Sequence, residues 1–460
     1  MNLPGEVQEK KEGFFMLKRK LVALALAGTL LTTAMTGCTS KKDDENNSGG
    51  TSAENATVDI FQFKVEIAKE LENAAKLYME KNKNVKINIQ TVGGGDDYGA
   101  ALRAKMQSGA EPAIFNIGGP QDVEDWASKL DDLSDQPWIA NANQGTLPAV
   151  QKDGKTYGMP FAIEGYGFIY NKEILSAAGI DGSTIKTYDA LVDAVKKLDA
   201  KIKDGSLKKQ YPNLKAVFEL PAKETWVTGN HTANVVLSQE LNDAMAAYNA
   251  KTIDFKYASQ FKDLIDLQAK YTENGSNWGK LNSIDYATQV GQGIAVERVA
   301  MIQQGNWIYN DVKQVDPTVA DNLDIMPIPV KGGKEDSIPV GVPMYWCVNK
   351  NAKDADKKAA KDFLNWLYTS DEGKDYIVNK FYFVPPFNNF GDVKPQDPLG
   401  RTVKAYADAG KTLPWVFNSA PVGWTQDVLG SSIQKYLGGQ ATWDKIISDA
   451  KSKWQEMRSK

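Results

Sequence analysis

The chain has 460 residues, of which 42% are hydrophobic and 24% are charged, and its formal net charge is −4. The length allows two or three domains, the composition is typical of a globular protein, and the absence of a basic block argues against nucleic acid as a partner. Two cysteines, Cys38 and Cys347, and one histidine, His231, exclude a disulfide framework, a cysteine-based zinc site and a histidine-cluster metal site. We therefore expect no metal and no other cofactor.

The N-terminal segment has the pattern of an export signal. Three basic residues, Lys18–Lys20, precede a short apolar run from Leu21 to Met35, which is typical of a secretory signal rather than a membrane-spanning helix. We expect residues 1–37 to be this signal. Met16 is the better start, because residues 1–15 fit no signal pattern.

The apolar run ends in Met35-Thr36-Gly37-Cys38. This tetrad resembles the bacterial lipobox, in which the cysteine is lipidated and becomes the new N-terminus. Residues 38–55 are mostly small, polar or charged, which predicts a flexible tether after a lipidated Cys38. The expected location is the outer face of the cell membrane, with the lipid as the anchor.

Strands and helices alternate after the tether. Residues 58–63 predict a strand, Ile67 to Tyr78 an amphipathic helix, and Val85 to Gln90 a second strand. The turn at Gly93–Gly95 leads into another helix. Asp96 and Asp97 follow the glycines, where they would repel a phosphate and are better placed to cap that helix. With a strand at 113–117, the order predicts a parallel, doubly wound sheet.

The same alternation returns later in the chain, which favours two α/β lobes. Strands are predicted at 168–170, 217–220 and 299–302, and helices at 188–198, 261–271 and 443–457.

Enzymatic patterns are weak. Two Gly-Lys-Thr triplets occur, but Ala149 and Ala405 stand where a P-loop requires glycine. A secreted glycosidase requires two facing carboxylates, and Glu164 and Glu224 lie in aromatic surroundings, so that hypothesis stays open. A lone histidine such as His231 is expected to have a structural or ligand-contact role.

Aromatic side chains beside acids and amides are the most informative signal. Trp and Tyr rings cover the apolar face of a sugar, and Asp, Glu, Asn and Gln pair with its hydroxyls. The segments with this mix are Asp97-Tyr98, Glu164-Gly165-Tyr166, Glu224-Thr225-Trp226, Asn306-Trp307 and Trp424 with Gln426 and Asp427, while Tyr345-Trp346 adds two adjacent rings.

In order and spacing, these segments resemble the extracellular solute-binding proteins, family 1, of ABC importers, especially the members that bind maltodextrins and other oligosaccharides. The motifs that carry the resemblance are Phe61-Gln62-Phe63 with Lys64 and Glu66, Asp97 to Leu102, Ser108 to Ala113, Gly158-Met159-Pro160-Phe161 followed by Glu164 to Lys172, Ala300-Met301-Ile302 with Gly305-Asn306-Trp307, and Ala359 to Gly373.

The resemblance implies a periplasmic-binding-protein-like fold of type II, with two doubly wound α/β lobes joined by a hinge. Lobe 1 would comprise residues 56–162 and 340–392, and lobe 2 residues 163–339 and 393–460. Three hinge crossings are expected, near residues 161–165, 336–341 and 388–398.

The resemblance also implies a binding site between the lobes. Glu164 would accept sugar hydroxyls, Trp226 would line the cleft, and Trp307 and Trp424 would be stacking platforms. The remaining candidates are Phe63, Lys64, Glu66, Asp97, Tyr98, Gly118, Gly119, Tyr166, His231, Asn306, Tyr345 and Trp346.

The implied function is that of a non-enzymatic, monomeric lipoprotein that captures a sugar, in particular an oligosaccharide, and delivers it to membrane permease subunits. A receptor for a polyamine, metal chelate or peptide is the alternative, followed by a secreted glycosidase.

Overall fold

The computed structural model describes residues 55–94, 96–391 and 393–459. The predicted signal, the lipidation site Cys38 and nearly all of the tether lie outside these residues. Within the described ranges, no helix combines the length and hydrophobicity needed to cross a membrane.

The described residues contain thirteen strands. They are β1 (Ala56–Gln62), β2 (Val85–Thr91), β3 (Ile114–Ile117), β4 (Gln151–Lys152), β5 (Lys155–Thr156), β6 (Met159–Pro160), β7 (Glu164–Asn171), β8 (Ala216–Glu219), β9 (Val299–Gly305), β10 (Leu323–Met326), β11 (Ile338–Gly341), β12 (Tyr345–Val348) and β13 (Thr412–Leu413).

The same residues contain sixteen α-helices. They are α1 (Ala68–Lys81), α2 (Tyr98–Gln107), α3 (Pro120–Asp125), α4 (Lys172–Ala177), α5 (Tyr188–Lys203), α6 (Ala233–Leu237), α7 (Ala244–Asn249), α8 (Ala258–Lys270), α9 (Tyr286–Gly291), α10 (Tyr309–Val315), α11 (Pro317–Asp321), α12 (Asp354–Thr369), α13 (Asp371–Asp375), α14 (Pro398–Asp408), α15 (Ser431–Leu437) and α16 (Trp443–Arg458).

The first sheet has the strand order β2-β1-β3-β12-β6. Strands β1, β2 and β3 are parallel, as the β-α-β-α-β pattern predicts, but β12 is antiparallel to β3. Helices cover both faces: α1 and α12 bury Leu71 and Phe363 on one side, and α2 buries Leu102 and Met106 on the other. The burial of apolar side chains on both faces stabilises this layered arrangement.

The second sheet has the order β13-β11-β7-β9-β8, with β10 also paired to β7. The eight residues of β7 are all buried, and β7 is antiparallel to β9, β10 and β11. This sheet is mixed, because its central strand β7 enters from the first sheet and runs against its neighbours, whereas β8 is parallel to β9 and β13 is parallel to β11. Helices again cover both faces, with α5, α8 and α16 on one and α10 and α14 on the other.

The chain passes between the sheets three times. The passages are residues 161–163 between β6 and β7, residues 342–344 between β11 and β12, and the segment between Phe390 and α14. The second passage is displaced from the predicted position near 336–341. Val340 and Gly341 pair with β7 in the second sheet, so the predicted lobe boundary at residue 340 falls inside a strand.

The predicted elements are confirmed, with ends displaced by a few residues. Asp97, rather than Asp96, caps α2, because its Oδ1 accepts a hydrogen bond from the Ala100 amide at 2.9 Å.

Candidate functional site

A buried group of charges joins the two sheets. Lys64, which follows β1, forms ion pairs with Glu66, at 2.6 Å from Nζ to Oε1, and with Glu164 at the start of β7. The three side chains are 4%, 10% and 5% exposed. One ammonium thus lies between two carboxylates. It links the segment that follows β1 of the first sheet to β7, the central strand of the second sheet.

The charges set each other's proton affinity. Burial opposes the charged form of Lys64, but the two carboxylates outweigh burial and raise the pKa of the ammonium above its ordinary value. Burial, with a contribution from Glu66, raises the pKa of Glu164 against the opposing effect of Lys64. The lysine is therefore the firmly charged member of the group.

The Trp226 indole is held by a buried carboxylate. Its Nε1–H donates to Glu224 Oε2 at 3.1 Å, and Glu224 Oε1 accepts from the Tyr286 amide at 3.1 Å. Glu224 is 5% exposed, whereas Trp226 is only partly buried. Because the polar edge of the indole is already satisfied, its apolar face is the part left for other contacts.

Trp307 is held in the same way by amides. Its Nε1–H donates to Gln304 Oε1 at 3.0 Å, and Gln304 Nε2 donates to Gln289 Oε1 at 2.8 Å. Both glutamines are fully buried, but Trp307 is only partly buried. Its ring centroid lies 6.5 Å from that of Trp226, so the two indoles form one aromatic surface.

His231 lies at the centre of this surface. Its ring is stacked on Tyr166 at 4.3 Å and 15°, and it contacts Trp226 at 5.2 Å and Trp307 at 5.3 Å between centroids. The Tyr166 hydroxyl donates to the His231 carbonyl at 2.9 Å. Both residues are buried, and His231 packs against both of the partly buried indoles.

The environment of His231 predicts a pH effect on stability. Burial lowers the pKa of His231 to about 3, whereas an unfolded histidine titrates near about 6.5. Between these values the unfolded chain binds a proton that the folded chain does not, so stability falls as the pH falls from about 6.5. At about pH 5, roughly 1.5 units lower, this loss is about 2 kcal/mol at about 1.36 kcal/mol per unit.

Replacement of the chain's only histidine by phenylalanine keeps a ring in place and removes the titration. Urea unfolding of the wild type and His231→Phe at about pH 7.5 and about pH 5 measures the difference. We expect the variant to lose less stability on acidification. An equal loss in both proteins would contradict the assignment.

Asn306 ties β9 to the start of β7. Its Oδ1 accepts from the Gly165 amide at 3.0 Å, and the side chain is 5% exposed. This bond fixes the backbone beside Glu164. Asn306 is thus adjacent to the charged group and acts on its position.

The first-sheet candidates divide into two groups. Phe63 is partly buried and lies 5.6 Å from Phe161, next to Lys64. Gly118 and Gly119 lie against Asn418 of the second-sheet half, and a β-carbon at Gly119 would lie only 3.2 Å from the Asn418 carbonyl oxygen. Both glycines therefore lie where the two halves of the molecule meet.

Other candidates have structural contacts. The exposed Asp97 caps α2. The Tyr98 hydroxyl accepts from the Asn116 amide at 2.7 Å and donates to the Phe61 carbonyl at 3.2 Å. Tyr98 is 8% exposed, so it joins β1 to β3.

Three predicted ligand contacts lie in hydrophobic cores. Trp424 is fully buried against Trp454, and its Nε1–H donates to the Ala450 carbonyl at 2.8 Å. Trp346 is stacked on Phe161 at 4.1 Å. The Tyr345 hydroxyl is bonded inside the fold to the Thr146 carbonyl. These rings have no face available for stacking, and we leave them out of the candidate site.

The sequence did not single out several residues at the site. Trp415 lies 6.0 Å from His231, and Phe417 lies 5.4 Å from it. Phe383 lies near Lys64. Trp415 has no acid or amide next to it in the sequence, so the pattern used to find the other rings does not detect it.

The cavity at the charged group is small. It lies beside Glu66, Glu164 and Trp307 and, at about 10 Å³, has the volume of one water molecule. A larger groove of about 480 Å³ lies against α14, but its lining includes Lys172, Lys411 and other charged residues from the second-sheet half alone. It lacks the tryptophan surface, so we place the candidate site between the sheets and expect the halves to separate when a solute enters.

Known structures share this architecture. A chitin oligosaccharide binding protein has a TM-score of 0.69 and 22% identity, covering 88% of this chain and 100% of the other. A solute-binding protein in complex with raffinose has a TM-score of 0.68 and 17% identity over 88% of this chain and 100% of the other. A sugar transporter of Bacillus licheniformis in complex with stachyose has a TM-score of 0.67 and 20% identity over 87% and 100%. These similarities confirm the two-lobed, type II fold.

Two curated sequences are related to parts of the chain. An uncharacterized ABC transporter extracellular-binding protein of Pyrococcus horikoshii is 25% identical over 195 residues, 40% of this chain and 44% of the relative. An arabinooligosaccharide-binding protein of Halalkalibacterium halodurans is 22% identical over 255 residues, 55% of this chain and 52% of the relative. The chain spans about half the length of these curated relatives.

A family model matches a longer part of the chain than either curated relative does. The model of the bacterial extracellular solute-binding proteins matches residues 73–402, a stretch that contains most of the first sheet, the passage into β7, the Trp226–Trp307 surface and the start of α14. The predicted resemblance is confirmed, and the chain belongs to the bacterial extracellular solute-binding proteins.

Proposed function

We propose that this protein is the solute-binding component of an ABC importer, that its solute is a sugar, in particular an oligosaccharide, and that the sugar binds between the two sheets. Relatives named for arabinooligosaccharide and chitin oligosaccharide binding, and similar structures with raffinose and stachyose, support this choice. Binding and release, without bond cleavage, are the proposed activity.

The observation that carries the proposal is the pair of partly exposed indoles, Trp226 and Trp307, beside the Lys64–Glu164 ion pair. Each indole N–H is already bonded to a buried side chain. The partly exposed rings suit the apolar side of a pyranose, and the partly buried Glu66 offers a carboxylate for hydroxyls. Flat apolar rings next to polar groups are the chemistry that a sugar requires.

A polar group without a partner supports the same site. Trp415 Nε1 is buried and has no hydrogen-bond partner among the described residues. An unpaired buried donor costs about 1–3 kcal/mol, and a ligand hydroxyl could recover that cost. Trp415 lies next to His231 and Phe417 in the aromatic surface.

The contacts of the carboxylates weigh against the alternatives. A polyamine receptor requires free carboxylates, but Glu66 and Glu164 already pair with Lys64. A glycosidase requires a free acid and a free base, whereas Glu164 is ion-paired and both Glu224 oxygens accept hydrogen bonds.

A sugar panel tests the proposal. The chain without residues 1–38, which retains every described residue, is titrated with mono- and oligosaccharides while Tm and Trp fluorescence are followed. We expect a saturable response to one sugar class and recovery of that sugar intact. No response to any sugar would overturn the sugar assignment, and cleavage of the bound sugar would favour the glycosidase.

We propose that the three passages between the sheets form the hinge between two lobes, and that sugar stabilises the closed form. The closed monomer would then dock on permease subunits in the membrane.

We also propose that the protein is exported and held at the outer face of the cell membrane by lipid on Cys38. The basic and apolar segments before Gly37-Cys38 support this proposal, as does membership of an extracellular family.

Replacement of Cys38 by alanine is expected to release the protein into the medium or periplasm, because the thiol that carries the lipid is lost. Fractionation and immunoblotting measure the distribution, with Cys347→Ala as the control because Cys347 is buried in the fold. A Cys38→Ala protein that stays in the membrane fraction would contradict lipid anchoring.

A further inference from the structure

Lys64 lies in a cage that would suit a foreign ammonium. Its Nζ is paired with Glu66 and Glu164, and it lies 5.4 Å from the ring centroid of Phe63. Two further rings, Trp307 and Phe383, each lie 5.9 Å away. Carboxylates combined with aromatic faces within about 6 Å are the usual recognition elements for an organic cation.

The backbone holds Lys64 in this cage. Its amide donates to Gln62 Oε1 at 2.7 Å, and its carbonyl accepts from Gln62 Nε2 at 2.9 Å. Gln62 is fully buried and also donates to Thr91 Oγ1 at 2.7 Å. The lysine backbone is thus positioned by two hydrogen bonds with one buried side chain.

The cage is assembled from both halves of the molecule. Phe63, Glu66 and Phe383 belong with the first sheet and its core, while Glu164 and Trp307 belong to the second-sheet half. The cage therefore lies at the site where the proposed sugar would bind, and its occupant affects which solutes can approach the indoles.

We propose that Lys64 is a specificity-determining residue whose ammonium fills this cage and reserves the site for uncharged solutes, an inference that rests on the proposed function. Both carboxylates face the same Nζ, so a solute ammonium must displace the lysine or lie against it. A neutral hydroxyl solute can instead use the outer oxygens of the carboxylates and the indole faces.

The first test removes the Lys64 ammonium from the cage. Lys64→Ala leaves two carboxylates and three rings around a space that n-propylammonium, the end of a lysine side chain, would fill. We expect n-propylammonium to raise the Tm of Lys64→Ala in a saturable manner and to leave the wild type unchanged. Equal concentrations of 1-propanol and sodium chloride control for apolar and ionic effects. A folded variant that responds no differently from the wild type would overturn the inference.

A second measurement uses the wild type alone and applies even if Lys64→Ala does not fold. The sugar that binds in the panel is compared with its 2-amino-2-deoxy analogue and with the N-acetylated form of that analogue. We expect the ammonium-bearing analogue to bind at least about tenfold more weakly than the N-acetylated one. Equal binding, or tighter binding of the ammonium form, would overturn the inference.

The two proposals fail in different ways. If no sugar binds the wild type but n-propylammonium stabilises Lys64→Ala, the sugar assignment is wrong. The inference that the residues around Lys64 form an ammonium-binding cage is then still supported. If sugar binds and neither test shows discrimination against the ammonium, the sugar assignment remains and the role of Lys64 fails.

Discussion

Replacement of Lys64 by methionine is expected to lower the free energy of unfolding by about 3 kcal/mol or more, because it leaves two buried carboxylates without a cation. Glu164→Gln is expected to have a smaller effect, since Lys64 keeps Glu66 as its partner. In the double variant Lys64→Met with Glu164→Gln only one carboxylate remains uncompensated, so part of the loss is expected to return.

Urea unfolding of the four proteins gives the coupling between the two side chains. Lys81→Met is the matched control, because Lys81 pairs with Glu372 at the surface, where the side chains are 48% and 47% exposed, and no measurable change is expected. A Lys64→Met protein as stable as Lys81→Met would show that the buried charges do not hold the halves together.

Replacement of Trp307 by alanine is expected to weaken sugar binding about 10–100-fold, because a central stacking face is lost and each tenfold corresponds to about 1.4 kcal/mol. Trp226→Ala is expected to act in the same direction. Trp307→Phe keeps an aromatic face and should retain part of the affinity.

Calorimetric titration with the sugar identified in the panel measures these affinities. Trp278→Ala is the control: this indole is also partly buried, but its Nε1–H donates to the Gly275 carbonyl and its ring packs on Tyr436. Equal affinities of Trp307→Ala and Trp278→Ala would remove Trp307 from the site.

Local patterns were sufficient for the elements that build the first sheet. The alternation at Val85 to Gln90 and the helical spacing from Ile67 to Tyr78 became β2 and α1, because each pattern matches the face that the element buries. The direction of β7 could not be predicted in this way. The direction of β7 depends on how the chain enters the second sheet, and the local residue pattern does not indicate this.

Two of the predicted rings that remain in the candidate site have their hydrogen-bond partners close by in the sequence. Trp226 is held by Glu224 and Trp307 by Gln304, and both segments show the mix of aromatic and polar residues. Trp424 shows the same mix, yet it packs on Trp454. Only the tertiary fold distinguishes an indole that is buried in a core, such as Trp424, from the partly exposed indoles of Trp226 and Trp307.

Long-range pairs had no local signal. Lys64 and Glu164 are one hundred positions apart in the sequence, and their contact exists only because the end of β1 and the start of β7 lie close together. Sequence motifs placed each residue near the site, but the ion pair and the ring cage around it required the folded chain.

The most direct test of the account is a crystal structure of the protein with the sugar identified in the panel. We predict a pyranose ring stacked on Trp307 or Trp226 at about 4 Å, with a hydroxyl hydrogen-bonded to Glu66 or Glu164. A sugar bound in the groove against α14, with the indole faces between the sheets uncovered, would contradict the account.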